Sequence, residues 1–554
     1  MISKRFIFLL FILFAFWGTT NLFAQSIPDT QDTVVVPSDY VNDGGNTAGS
    51  LNKFIDDDMA DGGIPAGRVY KLKRGEYYFL SGTLVVDGYT LRLVGEEAPA
   101  DTPPAVIAGG LKSDGTGFWQ YFKSKNDVEF RNIYFKGSTP TDLLTGECIR
   151  FIAPETKITV DNCVFDSFHF VTIHFFKVSD CSASITNSYF RNLNHKNGGK
   201  YNGRGLRFFQ ATHVDTIIMV NNTFVNSNSF FLDVNRFTIA DYALIDHNTI
   251  VNTVKFVFQW HWQTNAIFTN NLFYNAHSYG ETASDVANQD PDGLVFGIFG
   301  IDTVSADSLG IVESERKVQL TNNSWFYDAK VQAYWNARDT VQAEPFLNSR
   351  SQAMFDDNTN YPYLVEQDNI NADVNFTKFP DVTDAMITYM IGDRDGTEKE
   401  NNWGYYPDGS VFQIYWPMTE VEDLSYAVTD PQYTAGTNGL PIGDLNWFPE
   451  KKNEWITDVE EISNNIPNKY DLFQNYPNPF NPTTNIQFSI PERGMVTLKV
   501  FNALGQEVTQ LINQELAPGL HKVNFDASQL TSGIYFYTLE SGNYIKTQKM
   551  MLLK

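Results

Sequence analysis

This 554-residue sequence predicts an all-β chain in two parts: a stack of parallel coils, then a small antiparallel β-sandwich. Three observations carry that prediction. A strand-like phrase containing asparagine recurs through the middle of the chain at intervals near 25 residues. Aromatic residues reach 15% while charged residues are only 19%, which suits a large apolar core. From residue 470 to 554, apolar and polar residues alternate between Asn, Gly and Pro turns, the pattern of short antiparallel strands.

At the N-terminus, Lys4 and Arg5 precede an apolar run from Phe6 to Trp17, and small and polar residues follow up to Ala24 and Gln25. This predicts a cleavable signal peptide over 1–25. The run falls short of the about 20 residues that span a bilayer, so no transmembrane anchor is expected in the mature form. With three cysteines, at most one disulfide can form. Cys148, Cys163 and Cys181 lie in strand-like segments and are expected as buried thiols. The formal charge of −25 argues against nucleic acid as a partner, because phosphate binding needs clustered cations.

The repeated phrase reads VEFRNIYF at 128, ITVDNCVF at 158, ASITNSYF at 183, IIMVNNTF at 217, ALIDHNTI at 243, AIFTNNLF at 266 and VQLTNNSW at 318. Its matched asparagines are Asn132, Asn162, Asn187, Asn222, Asn248, Asn271 and Asn323, spaced 30, 25, 35, 26, 23 and 52 residues apart. Units this small cannot bury an apolar face alone, so they must stack. Stacking pairs each strand in parallel with its equivalent about 4.8 Å away, which makes a parallel β-helix. Asparagine suits its corners because it tolerates left-handed backbone and its amide can bond along the stack.

These NNxF-type turns resemble those of the right-handed parallel β-helix of the pectate-lyase-like superfamily. The resemblance covers roughly 34–350 and concerns fold more than chemistry. It implies a β-helix with an N-terminal cap over 26–350, the segment 67–97 supplying the first coils, and a closing lobe over 351–455. A polar linker, 456–469, leads to the last segment. There the phrases NYPNPFNPTT, ALGQEV and SGIYFY and a Lys-rich final strand resemble the type A sorting domain of type IX secretion, over 470–554. That resemblance implies Sec export, then translocation to the extracellular space or outer-membrane surface, with the type IX machinery and its sortase as partners.

Aligning the strands that precede each phrase puts Ile149, Val171, Leu206, Leu232 and Phe258 inward. Outward beside them come Arg150, Thr172, Arg207, Asp233 and Gln259, with His174, Asn235 and His261 one step further. This polar ladder, Arg150, His174, Asp233, Asn235, Gln259 and His261, is the expected substrate-binding face. From Cys181 to Val214 no acidic residue precedes Asp215, yet Arg191, Lys196, Lys200, Arg204 and Arg207 occur with His195 and His213. In β-helix polysaccharide lyases an Arg or Lys removes the proton beside a uronate carboxylate while cations neutralise the enolate-like intermediate. The resemblance therefore points to Arg207, Lys200, Arg204 and Lys196 for catalysis on an acidic polysaccharide, with Asp233 orienting Arg207 or binding a metal. An Arg207–Asp233 ion pair within a solvated cationic loop is the competing expectation.

In NQDPDG, Asn288, Asp290 and Asp292 have the alternate-residue spacing that wraps oxygen ligands around calcium, without the distal glutamate. Calcium and a plain acidic turn both stay open. GDRDG, with Asp393 and Asp395, is a weaker second candidate. The paired aspartates and Gly-His-Gly of β-helix polygalacturonases are absent, which disfavours an inverting hydrolase. Two functional readings result: a surface or released protein that binds, and by β-elimination cleaves, acidic polysaccharide; or a non-catalytic adhesin or structural envelope protein.

Overall fold

The computed structural model describes residues 32–455 and 470–553, apart from 39–40, 43–44, 47–48, 98–100, 113, 195–200, 236–237, 283–296, 305–311, 339–340, 343–345, 398–402, 408, 476–477, 491–493, 517–518, 529 and 543. The expected signal peptide and linker lie outside these residues. Within them, no helix is long and apolar enough to cross a membrane. The chain divides into two compact units, one holding residues 26–452 and the other the C-terminal segment.

The larger unit is a parallel β-helix. Three parallel sheets have 11, 10 and 7 strands; the middle coils contribute one strand to each in turn, and the last coils only to the first two. One coil consists of Val128–Arg131 in the first sheet, Ile133–Lys136 in the second and Glu147–Phe151 in the third; Lys157–Asp161 then returns to the first. Inward residues stack coil upon coil. Phe135, Phe165 and Phe190 lie 5.1 and 4.8 Å apart, and Phe151, Phe175 and Phe208 4.5 and 4.6 Å apart. Such offset stacking adds roughly 0.5–1.5 kcal/mol per pair to the area buried. All three cysteines are free and buried.

A single left-handed residue separates the first-sheet strand from the second, and asparagine supplies most of these corners. The positions are Asn132, Asn162, Asn187, Asn221, His247, Asn270, Asn322 and Asp368, with φ between 50° and 55°. The sequence alignment is thus one residue out in the later coils, because the NN and HN doublets offer two candidates. There the second member plays another part. The Nδ2 groups of Asn222, Asn248, Asn271 and Asn323 each donate to the Oδ1 of the next, ending on Asn369, at 2.9–3.0 Å. Each Nδ2 also donates to a backbone carbonyl one coil back, from Ile185 to Phe268. A second ladder, Asn192, Asn226, Asn252 and Asn275, lines the exit from the second sheet, again with positive φ.

Helix Ser50–Ala60 closes the N-terminal end, with Leu51 and Ile55 in the common core. At the other end the coils run on past residue 350, through strands Leu364–Gln367 and Ile370–Asn371. Helices Ala329–Asn336, Ser349–Asp356 and Thr383–Asp395 send Val331, Trp335, Met354, Met386 and Met390 into the same core. The chain then returns along the outward face of the second sheet. There Met418, Val421 and Leu424 pack on Val106, Tyr134, Val164, Tyr189, Val225 and Val251.

The C-terminal unit is a small antiparallel structure of a three-stranded and a four-stranded sheet. Alternate residues such as Ile486, Phe488, Leu498, Val500, Tyr537 and Leu539 form its own core.

Candidate functional site

With one face of the second sheet covered, the predicted polar ladder falls on the outward face of the third. Strand pairing aligns Lys123, Arg150, His174, Arg207, Asp233 and Gln259 in one column, one residue per coil. The expected register holds at Arg150, Arg207, Asp233 and Gln259. It is two residues out in the intervening coil: Ile173 pairs with Ile149 and Leu206, and Val171 instead lies level with Glu147 and Arg204. Thr172 therefore drops out of the column and His174 takes its place. The alternation resets at Cys148, which lines the core although its neighbours Glu147 and Ile149 hold separate places in the pairing. Periodicity alone could not show that reset, so Glu147 escaped notice.

Gly203 opens the strand that carries both arginines. Its φ is 77°, and a Cβ there would sit 1.6 Å from the Leu193 carbonyl oxygen, so only glycine fits this entry to Arg204–Phe209. Arg204 and Arg207 then converge on Asp233. Their Nε atoms lie 3.0 and 2.9 Å from the same carboxylate oxygen. The angles at these contacts are poor for hydrogen bonding, and both Asp233 oxygens and Arg204 Nη1 have no hydrogen-bond partner among the described residues. Burial pushes the Asp233 carboxyl up, against the pull of Arg204 and Arg207. Burial likewise lowers Arg204 to about 10, which leaves it a cation at neutral pH.

Two coils from the paired arginines, Arg150 grips Glu147 through two hydrogen bonds of 2.7 and 2.6 Å. His174 Nδ1 lies 2.9 Å from Glu147 Oε1. A carboxylate oxygen only accepts, so Nδ1 carries the proton and Nε2 the lone pair. Burial lowers the His174 pKa despite the Glu147 bond, and Arg207 and Arg150 add to that fall, so the imidazole is neutral. Nε2 has no partner among the described residues.

Phenylalanine rings seat the guanidinium groups. Arg207 lies 4.4 Å from the Phe209 ring, Arg150 4.9 Å from Phe176, and Arg204 5.7 and 5.3 Å from Phe170 and Phe230. Such stacking fixes the guanidinium plane and leaves its edge free to meet a carboxylate. Trp119, half exposed, lies against Phe170 and His169. It rests on Gly146, where a Cβ would come within 2.8 Å of the indole.

Several expected members lie elsewhere. Asn235 and His261 fall beyond the two-residue strands Leu232–Asp233 and Phe258–Gln259, so the ladder ends before them. His261 is buried, and its carbonyl accepts from Arg316 Nη2 at 3.0 Å. Lys196, Lys200 and His195 are outside the described residues, as are Asn288, Asp290 and Asp292. Of the weaker calcium pair, Asp393 accepts from Tyr279 at 2.6 Å and Asp395 pairs with Arg338 at 3.1 Å.

The cation-rich stretch does not form one patch, because a coil circles all three sheets. Arg191 points from the second sheet into a buried network beneath the returning chain. Asp166 Oδ2 there accepts from Tyr134 at 2.6 Å, Lys136 at 2.7 Å and Arg191 at 3.3 Å, and Arg191 Nε donates to Glu422 at 3.0 Å. His213, on the first sheet, sits between Asp180 and Asp241 at 2.8 and 3.0 Å, with Asp215 at 3.6 Å. The donor atoms of Asp180, His213 and Asp215 lie within 4.8 Å of one another, close enough to share a metal ion. Both imidazole nitrogens already face carboxylates, which makes this first a site for imidazolium.

Residues 474–553 match the family model described as the secretion system C-terminal sorting domain. No curated protein matches the chain. A tail of this family implies secretion by the type IX system to the cell surface or extracellular space.

Proposed function

We propose that this protein, exported through its sorting domain, binds acidic polysaccharide along the outward face of the third sheet and cleaves it by β-elimination. The observation that carries the reading is the incomplete hydrogen bonding of that face. His174 Nε2, Arg204 Nη1 and Asp233 Oδ1 are buried polar atoms without hydrogen-bond partners among the described residues, all on three neighbouring coils. Each such atom costs about 1–3 kcal/mol if left unmet. A uronate complements them: its carboxylate meets Arg204, and its hydroxyls meet the Asp233 oxygens. Asp233 and Glu147 offset only two of the charges of Arg150, Arg204 and Arg207, so this face keeps a net positive charge on a chain whose formal charge is −25. Trp119 offers a flat apolar surface for a further sugar ring.

Binding of the purified full chain to polygalacturonate, alginate and glycosaminoglycans tests this, with neutral dextran as control. The expectation is binding to an acidic polymer that weakens with salt, is about tenfold weaker in Arg207→Ala, and is accompanied by ultraviolet absorbance from an unsaturated uronate. Equal affinity for dextran, or binding unchanged in both Arg207→Ala and Arg204→Ala, would refute it.

A further inference from the structure

We infer that the proton acceptor of this site is His174, oriented by Glu147, and that the arginines on either side of it bind charge and do not act as bases. The inference rests on the glycan-cleaving reading above.

Three features of the geometry single out His174. Its Nδ1 proton is committed to Glu147 Oε1 at 2.9 Å, so the lone pair is on Nε2. Glu147 cannot turn away, because Arg150 holds both its oxygens. The imidazole is also walled by the edges of Phe170, Phe176 and Phe209, with ring centroids 6.2, 5.4 and 6.2 Å away. A base needs a lone pair at working pH and a fixed direction; this ring has both. The neighbouring guanidiniums lack the lone pair, since each is tied to a carboxylate that favours its protonated form.

The charged groups around the imidazole are Glu147 and Arg150 from the coil on one side, Arg204 and Arg207 from the coil on the other, and Asp233 one coil beyond these. Burial and the two arginines that act on it, Arg207 and Arg150, disfavour imidazolium, while Glu147 favours it; the net direction is towards the neutral base.

The step is a balanced elimination. Nε2 takes the proton from the carbon beside the uronate carboxylate, and the electron pair of that C–H bond becomes the second bond of a carbon–carbon double bond. The C–O bond to the neighbouring sugar breaks with its pair on oxygen. That oxygen takes the proton back from the imidazolium, so no water is consumed. Arg204 and Arg207 stabilise the negative charge that gathers on the carboxylate between the two events.

The experiment uses the full chain on the acidic polymer it binds, reading affinity, the rate of absorbance increase and the pH profile for wild type, His174→Gln and Glu147→Gln. Thermal melts of each variant report on the fold. The expected result is a loss of kcat of roughly 10²–10⁴-fold in His174→Gln with affinity retained. Wild-type activity should rise to a plateau through a group below the ordinary histidine value, and Glu147→Gln should displace that limb. A folded His174→Gln with wild-type kcat overturns the inference. So does a wild-type rate that climbs only in alkali, as an arginine base requires, or a polymer that binds without absorbance change. Absence of binding to every acidic polymer overturns the underlying reading instead.

Discussion

Arg191 and Glu422 meet in an ion pair of 3.0 Å across 231 residues of sequence, and neither side chain has any solvent exposure. Burial disfavours the Arg191 charge, but Glu422 and Asp166 outweigh it and hold the guanidinium well above its ordinary pKa. The pair fastens the returning chain to the second sheet. Breaking one partner of a buried pair typically costs about 3–5 kcal/mol. Glu422→Gln is therefore expected to lower stability by that order in denaturant titration, and to expose 403–452 to protease before the coils unfold. A variant as stable as wild type would show that the apolar contacts of Met418, Val421 and Leu424 suffice.

The amide ladder makes a sharper demand. Asn248 Nδ2 donates to the Met219 carbonyl and to Asn271, and its Oδ1 accepts from the Asn222 backbone and side chain. Asn248→Leu keeps a similar volume but orphans these partners at about 1–3 kcal/mol each. Calorimetry should show a loss larger than that of a surface substitution such as Gln319→Ala. Equal losses would argue that stacking of the phenylalanines alone sets the register.

Acid and alkali should act differently on the first-sheet cluster. Partial burial pulls the His213 pKa down, but its hydrogen bonds to Asp241 and Asp180 outweigh it and the net shift is upward. A folded pKa above the unfolded one means the stabilisation is fully present below about 6.5 and is lost as pH rises through the folded value. Melting temperatures of wild type and His213→Gln should thus differ most in mild acid and converge in alkali. A difference independent of pH would mean the imidazole is not charged there.

In the C-terminal unit, the Tyr537 hydroxyl donates to the Phe473 carbonyl at 2.8 Å and accepts from the Asn475 amide at 2.7 Å. The ring is fully buried. Tyr537→Ala should cost about 3–5 kcal/mol through the cavity it leaves. Cell fractionation is expected to find the variant retained inside the outer membrane while wild type reaches the surface or medium. Normal export of the variant would show that short sequence signals, not the folded sandwich, are recognised.

How much of this was legible beforehand differs between fold and site. The asparagine period predicted the coils, because stacking repeats must carry their turn chemistry in every unit. The doublets hid which asparagine turns the chain and which bonds along the axis, and those jobs differ by one residue. The column of Arg150, Arg207, Asp233 and Gln259 followed from alternation. His174 was expected on the same face but one step beyond its place in the column, and Glu147 was not expected there at all, since the reset at Cys148 leaves no trace in hydrophobicity.

By itself, then, the sequence determined what depends on local chemistry repeated along the chain: the β-helix, its separate C-terminal sandwich, and the sorting tail. Apart from Arg207 with Asp233, which the strand alignment already set side by side, tertiary structure decided which charges meet. Within some thirty residues the chain visits three faces, so Arg191 is buried beside Glu422, Arg204 and Arg207 converge on Asp233, and His213 falls among aspartates. Neighbours in sequence are separated by a sheet's turn, whereas residues a coil apart lie about 4.8 Å from one another. Electrostatic partners are set by that second distance.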